Sequence, residues 1–172
     1  SDGAELQRAD LGYPAPPSGV PDGPQWVLEH WSNLNNVFQF IRVEDIAYDR
    51  TNGKTVYFAD TGEPRAIPDA TTTRLRRGPA GTRGPYPNGR LFKIVLNSSD
   101  PLGTATLSIL PGANFDALGY DNPAAPHQPD NVETTKNSLY ITEDPGAQNQ
   151  YPAGTPGGTT ARVWKYDLTT AE

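Results

Sequence analysis

Two segments of the chain place acidic residues at matching points of a repeat. The first reads Val43-Glu44-Asp45-Ile46, then Val56-Tyr57-Phe58-Ala59-Asp60, then Gly89-Arg90-Leu91-Phe92-Lys93-Ile94. The second reads Pro129-Asp130-Asn131-Val132, then Leu139-Tyr140-Ile141-Thr142-Glu143-Asp144, then Ala161-Arg162-Val163-Trp164-Lys165-Tyr166. Superposing them sets Glu44 over Asp130, Asp60 over Glu143 and Arg90 over Arg162. Carboxylates gathered from several strands suit a hard cation such as Ca²⁺, which takes six to eight oxygen ligands at about 2.3–2.6 Å. Crowded without a cation, they repel and raise one another's pKa values. The matched set therefore points to metal or substrate binding, led by Glu44 and Glu143, because glutamate is a poorer local cap than Asp or Asn. The competing reading is that each acid only caps backbone N–H groups at a strand end.

Other residue types offer less. Arg74, Arg76, Arg77 and Arg83 could hold an anionic substrate such as a phosphate ester, since guanidinium pairs bidentately with phosphate; the alternative is a solvated surface loop. His127, next to Gln128 and just before Pro129-Asp130, is a candidate acid/base group or ligand, or else an ordinary loop histidine. His30 reads as structural, and the repeated Arg90 and Arg162 as a structural pair between repeats. Gly154-Thr155-Pro156-Gly157-Gly158 has no strand-to-helix context and is no phosphate loop. No nucleophile-elbow signature is present.

The elements that must position these groups read as strands. Residues 1–25, rich in Pro, Gly and Asp, form an extended arm; Gln25–Phe40, where Trp26 and Trp31 do not alternate cleanly, reads as a strand or a short helix, with strand preferred. Ile46–Asp49 and Thr55–Ala59 make a hairpin whose Asn52-Gly53 pair supplies positive φ. A polar insertion covers 60–88, followed by strands at Gly89–Leu96 and Ala105–Leu110. The second repeat follows the same order: a strand from Asn131, one at Ser138–Thr142, an insertion at 145–160 and one at Arg162–Leu168. The chain stops where a fourth strand is due. No segment shows a helical period, so the class is all-β. An all-β unit repeated at this scale builds propellers of four-stranded blades. We expect a β-propeller fragment of roughly two to three blades spanning 26–172, with repeat one at about 42–110 and repeat two at about 128–168. It would be part of a longer propeller of about six blades, self-associating through open strand edges or completed by the remaining blades. The innermost strand of a blade begins, and the next one ends, at the same face of the disc. All four matched acids are therefore expected on one face.

Composition narrows the classes. The 172 residues carry a net charge of −6, which argues against nucleic acid, whose phosphates need a basic surface. With 18 Pro, 17 Gly and only 35% hydrophobic residues, short strands and long polar loops are expected. There is no cysteine, which removes disulfides, thiolate metal sites and a cysteine nucleophile from this chain. No apolar run is long enough to span a bilayer, and no signal-peptide pattern is present. Ser1-Asp2-Gly3 reads as a processed or cut end.

The residues at 42–62 and 128–168 resemble the PhoX family of bacterial secreted β-propeller alkaline phosphatases and their relatives. The likeness lies in Arg42-Val43-Glu44-Asp45-Ile46, Val56-Tyr57-Phe58, Gly89-Arg90-Leu91-Phe92, Gln128-Pro129-Asp130-Asn131-Val132, Leu139 to Pro145 and Ala161 to Asp167. It covers about a third of the chain. The resemblance implies an exported, calcium-dependent phosphomonoesterase acting on a small phosphate ester, its metals held by glutamates and aspartates at one end of the channel. Carried across, Glu44, Glu143 and Asp130 would be metal ligands. Two departures stand out: the family's characterised members also use iron with a cysteine ligand, and they need acids and arginines from blades absent here. The fragment would then hold part of a site. The competing reading is a non-catalytic, calcium-stabilised propeller module; a repeat fragment with no site at all is a third.

Overall fold

In the computed structural model, residues 7–16, 18, 21–70, 73–119, 122, 124–144 and 161–170 are described. The chain divides into two compact units, residues 1–39 with 70–74 and residues 40–69 with 75–172.

The first unit carries a helix, α1 (Pro24–Leu34), where the sequence pattern suggested a strand. Pro24 sits in the first turn, where its missing N–H costs nothing and its φ is already helical. Val27, Leu28, Trp31 and Leu34 recur at helical spacing, and the Gln25 amide donates to Glu29 one turn on. The indole of Trp26 donates to the Pro14 carbonyl, and His30 lies against the rings of Tyr13 and Trp26.

The second unit is built of antiparallel sheets. Strands β1 (Val43–Tyr48), β2 (Thr55–Asp60), β5 (Arg90–Val95) and β6 (Thr106–Asn114) form a four-stranded meander in that order. Strands β3 (Ala66–Pro68) and β4 (Leu75–Arg77) make a small separate hairpin inside the stretch expected to be a plain insertion. Strands β7 (Pro129–Thr134), β8 (Ser138–Glu143) and β9 (Val163–Asp167) form a three-stranded meander. The insertion expected at 145–160 lies outside the described residues.

The β1–β2 turn is held differently from the sequence expectation. Gly53 does not adopt positive φ. Instead the Asp49 carboxylate accepts from the Thr51 and Asn52 N–H groups, the Thr51 hydroxyl and the Tyr57 hydroxyl. Those donors hold its pKa below the ordinary aspartate value although partial burial pushes the other way. A local carboxylate hub has replaced backbone permissiveness.

The two larger sheets share one core. Ala47, Tyr57, Ala59, Leu91, Leu110, Ala113 and Phe115 from the first meet Val132, Leu139, Ile141 and Tyr166 from the second. The first strands of the two sheets lie side by side. Thr134 Oγ1 donates to the Tyr48 carbonyl at 2.6 Å, and the Val132 N–H donates to Asp45 Oδ2 at 2.9 Å. Adjacent first strands are the arrangement that lines a propeller channel.

Candidate functional site: a charged rim over two buried clamps

The sequence repeat reappears as register. Val43 faces Asp60 across β1–β2, and Pro129 faces Glu143 across β7–β8. Each pairing then slips before resuming at Ile46–Phe58 and at Val132–Ile141. Glu44-Asp45 and Asp130-Asn131 thus occupy equivalent irregularities, where a strand re-aims its side chains.

Beneath this rim lie two clamps. Asp60 is fully buried and accepts from the N–H groups of Ile41 at 3.1 Å, Arg42 at 2.8 Å and Gly62 at 3.4 Å, and from Arg90 Nη2 at 2.8 Å. Glu143, equally buried, accepts from the N–H groups of His127 and Arg162, both at 2.9 Å, and from Arg162 Nη2 and Trp164 Nε1, both at 2.8 Å. Each arginine also lies over an aromatic ring, Arg90 over Phe92 at 5.2 Å and Arg162 over Trp164 at 4.5 Å. A buried carboxylate is tolerable only with such pairing. Arg90 and Arg162 therefore act within their own sheets, where the sequence suggested a role between repeats. Glu143, expected as a metal ligand, has both oxygens engaged in fixing the loops before β7 and β9.

Asp116, which the sequence reading passed over, extends the first clamp. Its Oδ1 accepts from the N–H groups of Asn88 at 2.8 Å and Gly89 at 2.9 Å, and its Oδ2 lies 3.7 Å from Arg90 Nε. Burial raises its pKa to about 6 against the opposing effect of those two donors and Arg90. No local signal marked it, because its donors Asn88 and Gly89 lie 28 and 27 residues away in the sequence.

The outer layer is charged and more open. Arg42 Nη2 lies 3.0 Å from Glu44 Oε1 and 3.5 Å from Asp144 Oδ2. Asp130 accepts from the Asn131 amide at 3.0 Å. Its pKa is pushed up by partial burial first, then by Asp144 and Glu44, with Arg42 opposing and Asp45 adding. Glu44, Asp130 and Asp144 thus feel one another, with Arg42 among them. Asp45 is committed to the backbone of Val132 and Ile46. Arg42 and Asp144 were visible in the sequence; strand alternation turns Asp144 outward once Glu143 points in.

The rim offers the hard oxygen donors a calcium ion prefers. In number they fall short: among the described residues no group of three or more His, Cys, Asp or Glu side chains forms a metal site.

The remaining candidates do not converge. Arg74 donates to Asn33 Oδ1 at 2.9 Å and to the Val37 carbonyl at 2.6 Å within the first unit. Arg76 pairs with Asp69 at 3.2 Å, and Arg77 with Glu63 at 3.4 Å. His127 is buried, its N–H on Glu143. Among the described residues no helix is long and apolar enough to cross a membrane.

No protein-family model matches the sequence, and no curated protein matches it. Among solved structures, the chain is similar to Pseudomonas fluorescens PhoX in complex with vanadate, a transition-state analogue. The TM-score is 0.57 at 16% identity, over 90% of this chain and 28% of that one. This chain therefore spans a little over a quarter of the length of its structural relative. At such identity the likeness carries the fold, and with the sheet topology it makes this chain a β-propeller fragment.

Proposed function

We propose that the chain is part of a PhoX-like propeller hydrolase of exported type, acting on a small phosphate ester. A hard cation, Ca²⁺ by donor chemistry, would bind at the rim through Glu44 and Asp130, with Asp144 beside them. The observation supporting this is geometric: Arg42 lies 3.0 Å from Glu44 and 3.5 Å from Asp144, as a cation already held among these acids, beside Asp130, whose pKa is pushed up by partial burial and then by Asp144 and Glu44. The remaining ligands would come from residues outside this chain. Such a cation supplies neutralisation of phosphate charge. Arg42, released from the acids by the cation, is placed to pair with a phosphate oxygen. Glu143 serves as the anchor that fixes the backbone beneath the rim. The arginines of the insertion and His127 have no part in this reading.

Calorimetric titration of the chain with Ca²⁺ tests it, alongside Glu44→Gln and Asp130→Asn. The expected result is binding that weakens at least tenfold, about 1.4 kcal/mol, in each variant with unfolding temperatures little changed. Absent binding, or variants that bind as well as the parent, would remove the cation site. Hydrolysis of a chromogenic phosphate ester by the longer protein, lost with Glu44→Gln, would then extend the reading to catalysis.

One observation favours a second reading, a calcium-stabilised module without catalysis. The best-formed acid–arginine pairs, Asp60–Arg90 and Glu143–Arg162, are buried and serve the fold. Calcium-dependent stabilisation without ester turnover would select it.

A further inference from the structure

The repeat sets which backbone groups each clamp should hold, and one position departs from it. In the first sheet Asp60 accepts from the N–H groups of both Ile41 and Arg42, and the Thr61 N–H donates to the Arg42 carbonyl at 2.8 Å. Val43 pairs with Asp60 as Pro129 pairs with Glu143, so His127, Gln128 and Asp144 are the equivalents of Ile41, Arg42 and Thr61. His127 keeps its bond to Glu143, and the Asp144 N–H keeps its bond to the Gln128 carbonyl at 3.0 Å. The Gln128 N–H leaves its clamp. It donates instead to the Asn88 carbonyl, in the turn that leads into β5, at 2.8 Å. Gln128 does this with φ at 52° and only 1% of its surface exposed. A side chain at such φ is costly and persists only where the surroundings over-determine it.

The turn that receives this bond is fixed by Asp116. The Asn88 and Gly89 N–H groups both end on Asp116 Oδ1, and the Asn88 amide donates to the carbonyls of Phe115 at 3.0 Å and Gly119 at 2.9 Å. A second tie, from Thr61 Oγ1 to the Pro129 carbonyl at 2.7 Å, holds the residue after Gln128. An unbroken path of hydrogen bonds thus runs from Asp116 through Asn88 and Gln128 to the main chain of Asp144, one of the rim acids. The charged groups acting on Asp116 are Arg90 from β5, which attracts it, and Asp60 from β2, which repels it.

We propose that Asp116 is a positioning residue for the rim: its ionised carboxylate draws in the Asn88–Gly89 turn, and through Gln128 that turn sets where Asp144 stands. The inference deepens the proposed cation site and rests on it, since the affinity of that site is what Asp144 would tune. Asp116 changes charge around pH 6. Protonation takes the charge from the acceptor of two N–H groups, which weakens both bonds and loosens the turn. The rim then holds a cation less well as pH falls through this range.

Amide-resolved NMR of the chain without added metal, titrated in pH beside Asp116→Asn, tests the path. The variant keeps an oxygen for both N–H groups, so it should fold as the parent does and hold the turn at every pH. In the parent, the amides of Asn88, Gly89, Gln128 and Asp144 should move together with a midpoint near 6, and the variant should lack that step. Titration of the rim acids themselves is common to both proteins and drops out of the comparison. Calorimetry with Ca²⁺ should then show the parent losing about fivefold more affinity than the variant on going from about pH 7 to about pH 5, the low end of couplings between sites. A step confined to Asn88 and Gly89 overturns the proposal, as does calcium affinity with the same pH dependence in both proteins. A shared step in a chain that binds no Ca²⁺ upholds the link from Asp116 to Asp144 and overturns the cation site instead.

Discussion

The acids of this chain divide by burial. Asp60 and Glu143 are dry and saturated with donors, while Glu44, Asp130 and Asp144 sit in the open rim around Arg42. Asp116 lies between these regimes. Its ordinary pKa of 3.8 is raised to about 6 in the folded protein, so the folded state holds a proton that the unfolded chain releases. This contribution to stability is present below about pH 4 and is lost as pH rises through about 6, with an upper limit on the order of 3 kcal/mol. Asp116→Asn keeps an oxygen for the Asn88 and Gly89 N–H groups and removes the charge. In thermal unfolding, the variant should match the parent near pH 4 and gain on it steadily toward pH 7. A gap that does not vary with pH would mean that the carboxylate titrates as it does in the unfolded chain.

At the level of elements, the rim depends on the close approach of two loops. Gly62 and Gly89 both have positive φ, at 77° and 87°. A Cβ on Gly89 would lie 2.5 Å from the Asp60 carbonyl and 2.6 Å from that of Thr61. The Gly89 N–H also carries one of the Asp116 bonds. Gly89→Ala should therefore cost about 2 kcal/mol or more through strain and backbone displacement, measured by urea unfolding. The turn residue Gly53 has neither property, and Gly53→Ala serves as the control, with little change expected.

At the level of the whole molecule, the two larger sheets stand on one core. Leu139 is fully buried in it, among side chains from both sheets. Leu139→Ala should cost about 2–5 kcal/mol, the range for a buried leucine that leaves a cavity. In urea, far-UV circular dichroism should show one transition at a lower midpoint with its slope unchanged. A split into two transitions would mean that the sheets fold independently.

The strand pattern was legible because β-branched and aromatic residues alternate and turn residues punctuate them, and the repeat was legible because acids and arginines recur at fixed places within it. From those, the sequence determined the all-β class, the propeller-type repeat and the matched rim positions, all of them local or periodic properties. At Gln25–Phe40 it preferred strand over a short helix, and the helix Pro24–Leu34 forms because Pro24 and the spacing of Val27, Trp31 and Leu34 outweigh the aromatic content. It also passed over the β3–β4 hairpin, whose three-residue strands are too short to show a period. The role of each acid was decided only by the tertiary structure. Whether a carboxylate is a ligand or an anchor depends on which distant N–H and guanidinium groups fold around it. Glu143 meets Arg162, Trp164 and His127 across 16 to 21 residues of sequence, and no local pattern specifies such a meeting.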